Sequence, residues 1–452
     1  MNMNTQINIS HKQLFKMSMI ALLVALLLIA ISSKSQAQDR TLTLQEAVKL
    51  GIDNSKSLKY SQAKINEAVS QYNQAKDRAL PTGSASFTYD RAEIPANVLA
   101  FGPDHIALPT GANAWLGIAS VNETIFGGNK LRYARESTDL LTQVSRLDAD
   151  KDKDQIAYDV ISAYYNLYKV MQSIKVVNQN IGTVDAQIHQ AQRFLDQGLV
   201  TKNDVLRFQL QKANIQLNGI DLESNRKIIN YNLDVLLGLP ETTTIHIDTL
   251  LDAGKPVATL QNYLDSAMVN RQELKQLDIR HHVAEINIRD TKANVLPTLS
   301  GSIGAYYVDI AANPFPSGEN YITPVTAGVT LAWNFGALWT NKNKVAQAHI
   351  QQEEVEINRG ITLDNVKQEV NQDYQNYVTA IDKINLLQTS IAQAGENNKI
   401  LESKYQSNIA SATDRADAET LLYQAEINLE LAKADAGLAY YTLIKSTGTL
   451  NK

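Results

Sequence analysis

The order of structural signals along this 452-residue chain occurs twice, and a chain built from two copies of one unit has few folds open to it. The segment 54–86 aligns without a gap with 270–302, and both pass from a helical pattern through Leu-Pro to an extended stretch. Further along the chain, four identical residues recur at a constant separation: Asp204, Asn218, Tyr231 and Gly238 correspond to Asp414, Asn428, Tyr441 and Gly448. A period this long exceeds that of solenoid repeats, so we predict a duplicated half-protein with structural repeats at 38–240 and 241–452.

The N-terminal segment has the pattern of a secretory signal. Lys12 and Lys16 precede an apolar run at 17–31, which is short for a membrane span, and the small residues at 35–37 suit a signal peptidase. We therefore predict a cleaved signal peptide, residues 1–37, with a retained N-terminal anchor as the alternative. No later stretch approaches the roughly 18 apolar residues of a spanning helix, so we expect any membrane span to consist of strands.

Four segments alternate as strands do. The segment 325–335 places apolar side chains on one face and small or polar ones on the other, and its predicted partner is 300–309. In the first repeat, 84–90 and 114–126 take the same two roles. Such segments are typical of membrane β-barrel strands, although a surface hairpin with one buried face has the same pattern. Four strands cannot close a barrel, which needs about eight, and lipid does not tolerate an open sheet edge, so the sequence favours an oligomer.

Two long stretches predict unusually long helices. Residues 130–195 contain no proline and only one glycine, Gly182, and a second long run without proline covers 343–405. At 1.5 Å per residue the first spans on the order of 100 Å, which is too long for a compact domain. Helices of this length need partner helices, either in a coiled coil or in the wall of a tube.

Composition and motifs argue against catalysis and against nucleic-acid binding. A formal net charge of −5 offers no basic face to phosphates, and the absence of cysteine excludes thiolate nucleophiles, disulfides and Cys-based metal sites. There is no Walker loop, no G-x-S-x-G and no G-x-G-x-x-G motif. The neighbouring His281 and His282 should point to different faces of a helix, which favours a surface or packing role over a metal site. We therefore expect no enzyme activity, no cofactor, no metal and no nucleic-acid partner.

Taken in order, these segments resemble the TolC family of outer-membrane efflux proteins over residues 42–450. The resemblance rests on the two Leu-Pro junctions and on four motifs, which are Leu-Thr-Leu-Gln-Glu-Ala-Val at 42–48, Thr-Ile-Phe-Gly at 124–127, Ala-Tyr-Tyr-Asn-Leu at 163–167 and Leu-Gly-Leu-Pro at 237–240. It implies a mainly α fold with a transmembrane β part. Three chains would form a twelve-stranded β-barrel, four strands from each, which continues into a long periplasmic α-helical barrel with an equatorial belt that includes 241–262.

The same resemblance implies a function. The chain would be the exit duct of a tripartite efflux or type I secretion system, a passive channel opened by a periplasmic adaptor and an inner-membrane pump. It would be a homotrimer in outer-membrane lipid with a large periplasmic part. A periplasmic coiled-coil adaptor or scaffold protein is the alternative. An adaptor predicts one helical hairpin between soluble β-domains, and a scaffold predicts sustained heptads, whereas this sequence has two equivalent hairpins and duplicated strands.

Two breaks between paired helices, 197–204 and 405–414, should mark the periplasmic tips. By resemblance, the adaptor-contacting tip comprises Gly198, Leu199, Val200 and Thr201. In the second break Asn408 stands where the family usually has glycine, and Asn tolerates the positive φ that such a turn needs. Plain helix-hairpin turns are the alternative interpretation.

The resemblance also implies a gate at the pore entrance, formed by Asp204, Tyr405, Asp414 and Asp417. Asp414 and Asp417 share one helix face and would converge with their symmetry copies into a ring of carboxylates that attracts cations. Asp204 and Tyr405 match a pair that holds the helices closed by a hydrogen bond. The family's basic partner falls at Ala410 here, and Arg415 either replaces it or neutralises part of the ring. Ordinary surface acids, stabilised near helix N-termini by about 0.3–1 kcal/mol, are the alternative.

Overall fold

The structure of the chain is a computed structural model that describes residues 39–93, 95–96, 98–107, 110–247, 257–313, 321–407 and 409–450. The predicted signal peptide, residues 1–37, lies outside them, as do Asn408 and much of the loop before residue 321. The helices are α1 (Leu44–Asn54), α2 (Lys56–Asp77), α3 (Lys130–Asp196), α4 (Lys202–Leu237), α5 (Leu260–Asn270), α6 (Gln272–Lys292), α7 (Ala337–Gln406) and α8 (Ala412–Ser446). The strands are β1 (Asp39–Leu42), β2 (Thr82–Glu93), β3 (Val98–Phe101), β4 (Asp104–Ala107), β5 (Gly111–Phe126), β6 (Thr244–Ile247), β7 (Thr298–Asn313), β8 (Tyr321–Ile322) and β9 (Val325–Ala332).

Both long helices predicted from the sequence are present. α3 has 67 residues and α7 has 70, and α4 and α8 follow them after short breaks. The mainly α character with a β part is confirmed. In the part of the chain that the structure describes, no helix is both long enough and apolar enough to cross a membrane.

The described residues form two compact units, and each takes segments from both sequence halves. The first contains residues 39–54, 159–247 and 382–438, and the second contains 55–158, 257–381 and 439–450, apart from the gaps given above. The long helices α3 and α7 each contribute a part to both units.

In the second unit, the four predicted strands form one antiparallel sheet in the order β2-β5-β7-β9, and the short β8 also pairs with β7. Pairing runs from Thr82↔Asn122 to Glu93↔Gly111 between β2 and β5, and β5 pairs with β7 over almost its whole length. Every residue of the edge strands β2 and β9 is exposed, including the apolar Phe87, Val325 and Val329. Within the described residues, this sheet therefore has two open edges and apolar faces that nothing covers.

Side-chain bonds hold the helices of the second unit together. Arg271, at the junction of α5 and α6, makes an ion pair of 2.7 Å with Glu369 of α7, and its guanidinium also donates to the carbonyl oxygen of Ser446 at the end of α8. The hydroxyl of Ser61 on α2 donates to the Asp152 carboxylate on α3 at 2.5 Å. Each contact joins helices far apart in the chain, so the bundle depends on long-range pairing.

In the first unit, a mixed region joins the chain start to the middle of the sequence. Strand β1 pairs in parallel with β6, and Leu42 and Ile245 are buried against Val160, Tyr164 and Leu233. The parallel pair fits the belt predicted to include 241–262, although 248–256 lie outside the described residues.

Candidate functional site

The candidate site lies in the first unit, where α3 turns into α4 and α7 turns into α8. At the first turn, Gly198 has a φ of 74°, its N–H donates to the Leu195 carbonyl, and the N–H of Leu199 donates to the Phe194 carbonyl, both at 2.9 Å. This is the glycine-dependent closure that satisfies the last carbonyls of a helix. It leaves the Leu199 side chain half exposed, at 51%.

The second turn repeats this pattern at the corresponding positions. The N–H of Ile409 donates to the Lys404 carbonyl at 2.8 Å, as Leu199 does to Phe194. Ile409 is 76% exposed, so each turn presents one apolar side chain to solvent.

Asp204 and Asp414 have the same local role at the starts of α4 and α8. The Asp204 carboxylate accepts from the backbone N–H and the hydroxyl of Thr201, both at 2.8 Å. The Asp414 carboxylate accepts from the backbone N–H of Ser411 at 3.1 Å and from its hydroxyl at 2.7 Å. The hydrogen bonds from Ser411 hold the pKa of Asp414 below its usual value. Both aspartates thus cap helix N-termini, which is the ordinary role that the sequence left open.

Tyr405 is buried beneath the turns in an aromatic cluster. Its ring lies 5.9 Å from that of Phe194 and 6.0 Å from that of Phe208, centroid to centroid. Its hydroxyl is buried without a hydrogen-bond partner among the described residues. Burial, and then the negative charge of Asp204, raise the pKa of Tyr405. The structure therefore brings Asp204 and Tyr405 close together but forms no hydrogen bond between them.

Asp417 lines a cavity of about 1030 Å³ between α3, α4 and α8. The wall combines apolar side chains with polar ones and includes both signs of charge, with Arg207, Gln211, Asp221 and Thr420 among its members. Asp417 and Asp414 are both exposed, but only Asp417 is part of this cavity wall. The two acids predicted as a pair therefore differ in their surroundings, since one caps a helix and the other faces an open groove.

Arg415 lies between these two acids and points inward. Its side chain is 4% exposed and makes an ion pair of 3.1 Å with Glu419, whose side chain is 5% exposed. The guanidinium also donates to Asn398 of α7, and Asn180 of α3 donates to Glu419 at 3.4 Å. Arg415 and Glu419 thus link three helices below the turns. The role of Glu419 was not predicted from the sequence, although opposite charges spaced i, i+4 on a helix, as in Arg415 and Glu419, are a signal for such an ion pair.

Comparison with known proteins assigns the chain to a family. A family model described as "Outer membrane efflux protein" matches residues 47–239 and 263–449. The chain belongs to the outer membrane efflux protein family. Outer membrane protein TolC of Escherichia coli (strain K12) is 21% identical over 96% of this chain and 87% of its own length. Outer membrane efflux protein BepC of Brucella suis biovar 1 (strain 1330) is 21% identical over 90% of this chain and 86% of its own length.

Solved structures agree at the level of the fold. The structure of CusC, described by its conformational changes on transmembrane channel formation, superposes with a TM-score of 0.74 at 14% identity, over 92% of this chain and 95% of that chain. The family resemblance inferred from the sequence motifs is therefore confirmed. This member of the family is an outer-membrane efflux channel protein.

Proposed function

We propose that three copies of this chain form the exit duct of a tripartite efflux or secretion assembly. The observation that carries the proposal is the four-stranded sheet of the second unit, whose two edge strands are exposed over their whole lengths. An open sheet edge is unstable in lipid, because its backbone groups have no partners there. Three chains would join edge to edge into twelve strands, which is an even number within the range of known barrels.

The helical part of each chain supports a tube below that barrel. Helix α4 carries a stripe of exposed apolar side chains, comprising Leu206, Leu210, Leu217, Ile220, Ile228, Tyr231 and Val235. A water-filled duct would not select such residues on its lumen, so they fit contacts between neighbouring chains. In this arrangement the structural repeats 38–240 and 241–452 supply equivalent hairpins to one periplasmic wall, and residues 1–37 are removed on export.

The tips suit contact with a periplasmic adaptor that is driven by an inner-membrane pump. Gly198, Leu199, Val200 and Thr201 form a turn that is closed by backbone hydrogen bonds and exposes Leu199. A fixed backbone with a protruding apolar side chain is a good anchor, because little conformational freedom is lost on binding.

The gate is proposed at the same end. Three-fold symmetry would bring Asp414 and Asp417 of each chain into a ring of six carboxylates, which would attract cations. Asp204 and Tyr405 are close enough for the charge of one to raise the pKa of the other, and the free Tyr405 hydroxyl is available to bond Asp204 in a tighter state.

Single-channel conductance in planar bilayers tests this function. The double variant Asp414→Asn with Asp417→Asn removes the charges, while the asparagine side chain in place of Asp414 could still accept the Ser411 hydrogen bonds, so the α8 N-terminus should remain intact. We expect cation selectivity to fall and block by divalent cations to weaken by roughly tenfold, as loss of an electrostatic attraction predicts.

The matched control is Asp364→Asn, an exposed acid of α7 in the other compact unit, which should leave conductance unchanged. Unaltered cation selectivity in the double variant would show that Asp414 and Asp417 do not line the pore. A wild-type protein that forms no channels and fractionates with the soluble periplasm would instead favour the adaptor or scaffold alternative.

A further inference from the structure

One turn of α6 in the second unit brings together three side chains that can bind a metal ion. The Nδ1 atom of His281 lies 3.7 Å from one carboxylate oxygen of Glu285, and the Nδ1 atom of His282 lies 3.4 Å from the other. One candidate ligand atom from each residue lies within 4.8 Å of the other two. The side chains of the adjacent His281 and His282 were expected to point to different faces of the helix. The two rings nevertheless converge, because Glu285 is three and four residues away and both imidazoles turn toward it.

The separations fit metal ligands better than ion pairs. A charge-assisted N–H···O bond is about 2.7–2.9 Å long, and both imidazole–carboxylate distances exceed this. Ligand atoms at bond lengths of about 2.0–2.2 Å around a tetrahedral ion lie roughly 3.3 Å apart. The two His–Glu distances involve different oxygens of Glu285, and the three ligand atoms lie within 4.8 Å of one another, so side-chain rotations are needed to bring them onto one ion.

A second helix orients one of the two rings. The Nε2 atom of His281 lies 3.2 Å from the side-chain amide of Gln352 on α7. Metal-binding histidines nearly always bond their second ring nitrogen to a polar group, which fixes the ring and its tautomer. The amide nitrogen of Gln352 faces this ring atom, and turning the amide over would place its oxygen there, where it would accept the Nε2 proton and leave the Nδ1 lone pair directed toward Glu285.

We propose that His281, His282 and Glu285 bind one late first-row divalent cation per chain, with zinc as the favoured ion. Two imidazole nitrogens and one carboxylate oxygen form a borderline donor set that suits Zn²⁺, Ni²⁺ or Cu²⁺ rather than Mg²⁺ or Ca²⁺. The remaining coordination position faces water, because the His282 side chain is 63% exposed. The ion stabilises this turn of α6 and, through Gln352, its packing against α7.

Isothermal titration of Zn²⁺ into the full-length, untagged protein, stripped with chelator and held in detergent, tests the site. The wild type should bind one ion per chain and gain thermal stability on saturation, since an ion that binds only the folded state stabilises it. His282→Gln and Glu285→Gln should lose this binding and the gain in stability. Gln352→Ala should bind roughly tenfold more weakly, as removal of such an orienting partner predicts.

The matched control is His189→Gln, an exposed histidine of α3 in the first unit, which should bind as the wild type does. Because the His282 side chain is 63% exposed and that of Glu285 39%, their variants should keep the helical circular-dichroism signal. No saturable binding by the wild type, or equal binding by wild type and both ligand variants, would overturn the proposal. Conductance plays no part in this test, so its result is independent of the proposed channel function.

Discussion

Asp234, in the last turn of α4, is fully buried beside the mixed region of the first unit. One of its carboxylate oxygens accepts from the Asn230 amide at 2.8 Å, and the other has no partner among the described residues. Burial raises the pKa of Asp234 from 3.8 to about 6. The Asn230 amide also donates to the Thr243 carbonyl and accepts from Ile245, so this buried acid adjoins the bonds that tie α4 to β6.

A pH-dependent stability follows from Asp234. Its folded-state pKa is raised, so its stabilising contribution is complete below about pH 4 and is lost as the pH rises through about 6. This shift in the pKa of Asp234 corresponds to roughly 3 kcal/mol of destabilisation of the folded state when Asp234 is charged. The Asp234→Asn variant should therefore melt at a higher temperature than the wild type at pH 8. This difference in melting temperature, the gap, should narrow as the pH falls to 4.5. Melting curves of the purified protein across this range check it, with the exposed Asp221→Asn as control. A gap that is constant with pH would contradict the assignment.

At the level of single residues, the sequence predicted positions better than roles. The four residues predicted to form the gate lie at or near the two turns of the first unit. However, Asp414 is a helix cap, and only its exposure leaves it free for a second role. The Thr201-x-x-Asp204 and Ser411-x-x-Asp414 spacings are capping patterns and could have been interpreted as such. Whether Arg415 faced the lumen or the interior could not be predicted, because that depends on how α7 and α3 pack against α8.

Among the elements, the long helices follow from uninterrupted sequence, but their ends depend on the hydrogen bonds of the flanking turns. Helix α7 begins at Ala337 rather than near 343, after a turn in which the N–H of Ala337 donates to the Asn334 carbonyl. Strand β9 ends at Ala332 rather than at Phe335, because the chain turns there and the Trp333 indole donates to the Val295 carbonyl at 3.0 Å. The β3–β4 hairpin lies in a segment with Gly and Pro residues that are typical of loops, so its pairing could not be predicted from composition.

The tip turn allows a prediction about adaptor contact. Leu199→Asp places a charge on the exposed apolar side chain without touching the Gly198 backbone geometry, so the fold and the trimer should persist. Binding of the adaptor and efflux in cells should fall by at least about tenfold if Leu199 is an anchor, since such contacts are worth about 2 kcal/mol or more. Co-purification of the adaptor and drug-accumulation assays measure this. Leu386→Asp, which is similarly exposed on α7, serves as the matched control. Full efflux by the Leu199 variant would exclude the turn from the contact.

For the whole molecule, the sequence could predict the need for partners but not the surfaces that meet them. Two open sheet edges and helices too long for a compact domain both require other chains. The exposed apolar stripe of α4 could not be predicted from the sequence, because exposure is a property of the folded chain. Val205, Phe208 and Ile215 are buried on the same helix, so apolar residues point both inward and outward and the helix shows little one-sided pattern.

That stripe allows the trimer to be tested. Leu217 and Ile220 are 61% and 66% exposed and share one face of α4, outside the cavity wall around Asp417. Burial of each in a subunit contact contributes about 1.5–3 kcal/mol, and an unpaired carboxylate in its place adds a desolvation cost. On unheated gels of outer membranes, where the proposed trimer would migrate as a heat-sensitive species, Leu217→Asp with Ile220→Asp should therefore migrate as monomer. Gln388→Asp, which adds one negative charge at an exposed position of α7, should leave the trimer intact. If the double variant still assembles as the wild type does, α4 does not form the contact, and the closure of the duct must depend on the strands and other helices alone.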